Sequence, residues 1–150
     1  MRILIQILTV LLLTSCSLFK GQDDQIESIS LSRSGCYGKC PVYQITLNRD
    51  GSILYKGNMF VEHIGSYSVE TDFDFQKFEE LVKISDFFNL EDSYMEDVTD
   101  IPSCGVTVRT GSKVKSVVDN GIGPRELRIF QKEIDKVISD SKEVIWKKIK

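Results

Sequence analysis

Residues 43–56 read Tyr43-Gln44-Ile45-Thr46-Leu47-Asn48-Arg49-Asp50-Gly51-Ser52-Ile53-Leu54-Tyr55-Lys56. Tyr43, Ile45 and Leu47 alternate with polar neighbours and so share one face of a strand; Ile53 and Tyr55 repeat the pattern on the way back. Asn48-Arg49-Asp50-Gly51 lies between them, and Asp-Gly is among the strongest short-range hairpin signals. This hairpin sets the fold class: local antiparallel pairing, with one face of each strand turned to a core.

The same grammar extends in both directions. Upstream, Ile29 and Leu31 alternate with Ser28, Ser30 and Ser32, which predicts a half-buried strand. Downstream, Gly57-Asn58 is read as a turn and Met59 to Glu70 as a longer strand, bulged or broken at Gly65. After Thr71 the period changes. Phe75, Phe78, Leu81, Val82 and Phe88 fall at helical spacing, with Thr71 or Asp74 as cap and an end between Ser85 and Asn89. Val106 and Val108, the turn Thr110-Gly111-Ser112 and the return Val114 to Val118 make a second hairpin. Asn120-Gly121-Ile122-Gly123-Pro124 then opens a second helix, whose apolar stripe is Leu127, Phe130, Ile134, Val137 and Ile138. The tail at Val144, Ile145 and Trp146 either extends that helix or packs separately. The expected order is ββββαββα: an α+β domain with a mostly antiparallel sheet of about six strands and two helices on one face.

The N-terminal end reads as an export signal. Arg2 is followed by Ile3 to Leu13, apolar except for Gln6 and Thr9. The run is shorter than the roughly 20 residues that span a bilayer and fits a signal-peptide apolar region. Leu13-Thr14-Ser15-Cys16 resembles the bacterial lipobox. That resemblance implies cleavage after Ser15, lipid on the Cys16 thiol and anchoring by several acyl chains. The expected organisation is residues 1–15 as lipoprotein signal peptide, 16–25 as tether and 26–150 as one α+β domain. Ser17 follows the lipid cysteine where an aspartate would signal inner-membrane retention, so the outer membrane is the preferred address.

Composition narrows the partners. The chain has 150 residues, 41% hydrophobic and 27% charged, an ordinary globular balance with enough apolar residues for one modest core. The formal charge is -3, and loss of Arg2 with the leader makes it -4. The short basic run Lys147-Lys148-Ile149-Lys150 does not reverse that, which argues against nucleic-acid binding. The expected partners are the membrane, through Cys16, and an envelope protein or ligand of unspecified kind.

Three cysteines remain besides Cys16: Cys36, Cys40 and Cys104. Disulfides persist outside the cytoplasm. Cys36 and Cys40 are four apart with Gly38 between them, so a bridge there would staple a small loop. Cys104 pairing with one of them stays open, and either way one thiol is left over. A thiol-redox site would need an exposed thiolate of lowered pKa, and here the spacing is C-x-x-x-C before a strand rather than C-x-x-C opening a helix. A zinc site would combine Cys36, Cys40, Cys104 and His63, the single histidine. Otherwise His63 is an ordinary strand residue.

Other constellations carry less. Glu91, Asp92, Glu96, Asp97 and Asp100 form an acidic loop without the alternating pattern of a calcium hand. Gly121 and Gly123 at a helix start could offer N–H groups to an anion, but no P-loop or dinucleotide fingerprint is present. Tyr37, Tyr43, Tyr55, Tyr67 and Phe60 are core on one sheet face, or a contact surface on the other. No catalytic constellation and no cofactor motif emerges. The leading reading is a lipid-anchored, exported binding or structural module without catalysis; the alternative is a metal or thiol-redox domain on Cys36, Cys40, Cys104 and His63.

One stretch is distinctive: Cys36-Tyr37-Gly38-Lys39-Cys40-Pro41-Val42-Tyr43. With Asp50-Gly51, Tyr55-Lys56-Gly57, Gly65 and Gly123-Pro124 before a helix, it resembles the family called domain of unknown function 6438, small domains often found in exported bacterial proteins. The resemblance runs from about Ile26 to Ile138. The family carries no established activity, so it implies fold and address and no catalytic residue. Cys104 lies outside the shared motif.

Overall fold

The computed structural model describes residues 24–98, 100–140 and 143–149. The expected leader, Cys16 and most of the expected tether lie outside the described residues. Among those residues the order is β1 (Ile26–Arg33), β2 (Val42–Asn48), β3 (Ile53–Met59), β4 (Gly65–Glu70), α1 (Phe75–Ile84), a 3-10 turn (Phe87–Asn89), β5 (Ser93–Tyr94), β6 (Cys104–Thr110), β7 (Val114–Asp119), α2 (Arg125–Ser139) and β8 (Ile145–Lys148). One sheet takes all the strands in the order β5-β7-β6-β1-β2-β3-β4-β8. Every pairing is antiparallel except β5 with β7.

The hairpin at Asp50-Gly51 forms as its sequence requires. Leu47 pairs with Ile53 and Ile45 with Tyr55. Gly51 takes φ +86°, a left-handed conformation that a Cβ would oppose. Alternation sorts the two faces. Ile29, Leu31, Ile45, Leu47, Ile53, Val106, Val108 and Val117 are fully buried under the helices. The opposite face is a field of hydroxyls, where Ser30 pairs with Thr46 at 2.9 Å and Thr107 with Ser116 at 2.8 Å. Serine and threonine there satisfy one another, with Leu54, Val114 and Val118 exposed among them.

The sheet has eight strands where the sequence predicts about six. The two extra strands are edges. β5 spans only two residues, and β8 is the tail around Trp146, which leaves the helix and pairs with β4. β3 also runs straight through Gly57-Asn58 to Met59, so the expected turn lies further on, at residues 60–64. Gly57 is what the strand needs there. A Cβ would come within 2.0 Å of the His63 carbonyl oxygen, because the following turn folds back over it.

α1 starts where Asp74 caps it, accepting from the Gln76 N–H at 2.9 Å. It ends at Ser85, and Asp86 turns left-handed at φ +49°. That break shifts the phase, so Phe87 enters the core while Phe88, expected in the apolar stripe, is exposed. α2 buries Leu127, Phe130, Ile134 and Val137, and Phe130 meets Phe87 edge-on at 5.9 Å. Lys77 of α1 reaches Glu133 of α2 at 2.5 Å and holds the helices side by side.

Candidate functional site

β1 carries the chain to one end of the sheet, and there the cysteine loop begins. Ser34 ties its entrance to the start of β6. Its N–H donates to the Ser103 carbonyl at 2.9 Å, and its hydroxyl accepts from the Ser103 N–H at 2.8 Å. The loop is closed by a Cys36–Cys40 disulfide with Cα atoms 5.6 Å apart, within the range such bonds require. The Gly38 N–H turns back to the Cys36 carbonyl at 2.8 Å. Tyr37, at the apex, is 91% exposed. Of the pairings the sequence left open, the structure has Cys36 with Cys40.

Cys104 is the remaining thiol, and it is buried. It pairs in register with Arg33 on one side and Asp119 on the other. Burial pushes its thiol up to about 12, and nearby Arg33 offsets only part of that. At neutral pH it is a protonated, unreactive core side chain. His63 lies elsewhere. It stacks on Trp146 at 4.0 Å and meets Tyr67 edge-on at 5.5 Å. Its own carbonyl sits over Gly57 on β3, three strands from β6, or about 14 Å at ordinary strand spacing. Cys36, Cys40, Cys104 and His63 therefore do not converge. Among the described residues no group of three or more His, Cys, Asp or Glu is placed to hold a metal.

Beneath the loop lies a polar row that the sequence reading missed. Asp135 of α2 takes a salt bridge from Arg33 and a hydrogen bond from the Tyr43 hydroxyl at 2.5 Å. Burial is the largest single influence on Arg33 and opposes its charge, but the Asp135 hydrogen bond together with the electrostatic attraction of Cys104, Asp135 and Tyr43 outweighs it and leaves the Arg33 pKa raised. Burial and the same carboxylate push Tyr43 well above its ordinary range. Next along the row, Asp119 accepts from the N–H groups of Gly121 and Gly123, each at 2.8 Å, and from Gln131 at 3.3 Å. The glycine N–H groups that the sequence offered to an external anion are thus filled by the chain's own carboxylate. Arg33 and Asp119 were legible after all: each falls on the inward phase, behind Ile29 and Leu31 or behind Val117.

The acidic loop is surface. Glu91, Asp92, Glu96, Asp97 and Asp100 are exposed. Asp92 pairs with Lys115 at 2.5 Å, and the backbone of Glu96 is held by the Asn120 side chain. The tyrosines divide. Tyr43, Tyr55 and Tyr67 lie on the covered face, with Tyr43 stacked on Tyr55 at 5.7 Å, whereas Tyr37 and Phe60 are exposed.

These features define a class: a small α+β domain with a helix-backed antiparallel sheet and a disulfide-closed loop at one end. A family model described as Domain of unknown function (DUF6438) matches residues 27–138. The chain belongs to that family, which assigns no activity. A search of curated proteins finds no match.

Proposed function

We propose that this chain is an exported lipoprotein, anchored through Cys16, whose domain works as a non-catalytic binding module with the cysteine loop as its contact. One observation carries the reading: a disulfide-closed loop holds Tyr37 91% exposed. An exposed tyrosine on a rigid loop loses little entropy when it is buried by a partner, and tyrosine is a frequent binding hot spot.

Position supports the same reading. Ile26, which follows the tether, pairs with Thr110 at one end of β1, and Arg33, which leads into the loop, pairs with Cys104 at the other. The eight extended residues of β1 place the two ends about 23 Å apart. A domain tethered at residues 16–25 would therefore hold the loop away from the bilayer. The disulfide suits an oxidising compartment, in keeping with export. The outer membrane stays the preferred address on the strength of Ser17.

The test is the state of the thiols and the lipid in the native protein. Mature chain should carry lipid on Cys16 and lose it in Cys16→Ser. The exported Cys16→Ser form should weigh two hydrogens less than the reduced chain and expose a single thiol, Cys104, only on unfolding. Three free thiols released by chelation, together with zinc in the native mass, would replace this reading with a metal site.

A further inference from the structure

A groove opens where the chain enters the fold. The described residues begin at Asp24, whose carboxylate accepts from the Ser112 hydroxyl at 3.3 Å. Asp24, Gln25 and Ile26 line an open cavity of about 510 Å³ together with Val82 of α1 and with Phe87 and Phe88 of the 3-10 turn. That volume is in the range of small-ligand clefts, and the lining is largely apolar. The backbone is what brings Phe88 there. Asp86 takes φ +49°, a left-handed conformation uncommon for residues other than glycine, and the turn it makes leaves Phe88 37% exposed at the groove.

The chain itself supplies an occupant. Residues 17–23 read Ser17-Leu18-Phe19-Lys20-Gly21-Gln22-Asp23, and Leu18 and Phe19 are the large apolar residues of an otherwise polar segment. Phe19 is five residues from Asp24, a reach of about 17 Å when extended. β1 is about 23 Å long, so Tyr37, beyond its far end, is out of that reach. Lys83 and Asp86 also line the groove and are opposite in sign to Asp23 and Lys20. A segment joined to the groove by so short a linker meets it at an effective concentration of roughly millimolar order, an advantage over any separate partner. We propose that the groove beside α1 is the seat of Leu18 and Phe19, so that the tether docks on its own domain. On the reading that Cys16 carries lipid, docking leaves only Ser17 between the anchored residue and the seated pair. The groove is at the Ile26 end of β1, so the domain then sits close to the bilayer with the cysteine loop turned away from it.

The test uses the mature chain with Cys16→Ser. A nitroxide label is placed through Ser17→Cys, since Cys36 and Cys40 are bridged and Cys104 is buried. Amide NMR signals from Val82 to Phe88 should broaden strongly. Those around Ser112, which touches Asp24 but does not line the groove, should broaden much less. Phe19→Ser should weaken docking about thirty-fold, the ordinary worth of one buried ring, and even out the two regions. Phe19 precedes the domain, so that loss is not unfolding. Phe88→Ser should act alike from the groove side, with an unchanged urea midpoint showing that the fold is kept. Phe19→Leu keeps an apolar side chain and should retain most of the selective broadening. Equal broadening of the two regions before any substitution would overturn the inference. So would selective broadening that survives both serine variants. The label reads docking without lipid, so failure here is separate from failure of the anchor, which the mass of the native chain reads.

Discussion

The covered face of the sheet is closed in two different ways. Over β7, β6, β1 and β2 the cover is helical, and α2 is pinned by side chains on those strands: Arg33 and Tyr43 to Asp135, and Asp119 to Gln131. Over the turn-proximal part of β3, β4 and β8 the cover is aromatic: Tyr55, Tyr67, Trp146 and His63 lie against one another. The difference is one of width. Two helices side by side cover about 20 Å, or roughly four strands at 4.8 Å each. An eight-stranded sheet outruns them, and the remainder is roofed by large rings from its own strands and by the turn that folds over Gly57. The helical half is thereby tied to distant parts of the chain, while the aromatic half depends on a single added strand.

Three perturbations grade that contrast. The largest effect is expected from Phe130→Ala, which empties a fully buried site against Phe87. It should cost about 4 kcal/mol in urea unfolding, with one cooperative transition. A cost near 1 kcal/mol would mean that the helical half repacks freely. Trp146→Ala should cost less, about 2 kcal/mol, because Trp146 is only half-buried. Its hydrogen-exchange signature should be local: protection falls on β4 and persists on β1. Equal loss on both strands would erase the distinction between the halves.

The smallest effect is alkaline and belongs to the helical half. Burial raises the Cys104 thiol from about 9 to about 12, so the folded state favours the protonated form. That contribution is fully present below about pH 9 and is lost as pH rises towards 12. Tyr43, also raised, adds to the loss in the same direction above about pH 10. Urea midpoints measured from pH 7 to 11 should fall at the alkaline end. In Cys104→Ala the fall should be shallower and begin higher, and an identical profile would remove Cys104 as a cause.

The parts legible in the sequence were those decided between near neighbours. Strand faces follow from alternation at every second residue, so Ile29, Leu31, Ile45 and Leu47 were placed inward correctly. The Asp50-Gly51 turn and the Asp74 cap follow from backbone chemistry within a few residues. The spacing of Cys36 and Cys40 made their bridge an available reading, though elimination of Cys104 needed its position against Arg33 and Asp119. Gly57-Asn58 misled, because a glycine that signals a turn locally serves here to admit a carbonyl from residue 63.

The sequence by itself determined the hairpins, the inward faces and the two amphipathic helices, because each depends on periods of two or 3.6 residues and on turn chemistry. Only the tertiary structure decided that β1 is central, that the tail becomes an edge strand, and that Asp135 joins Arg33 across 102 residues of chain. Local pattern states which side of an element is apolar. It does not state which distant element will meet it; shape and hydrogen-bonding complementarity across the closed core select that partner.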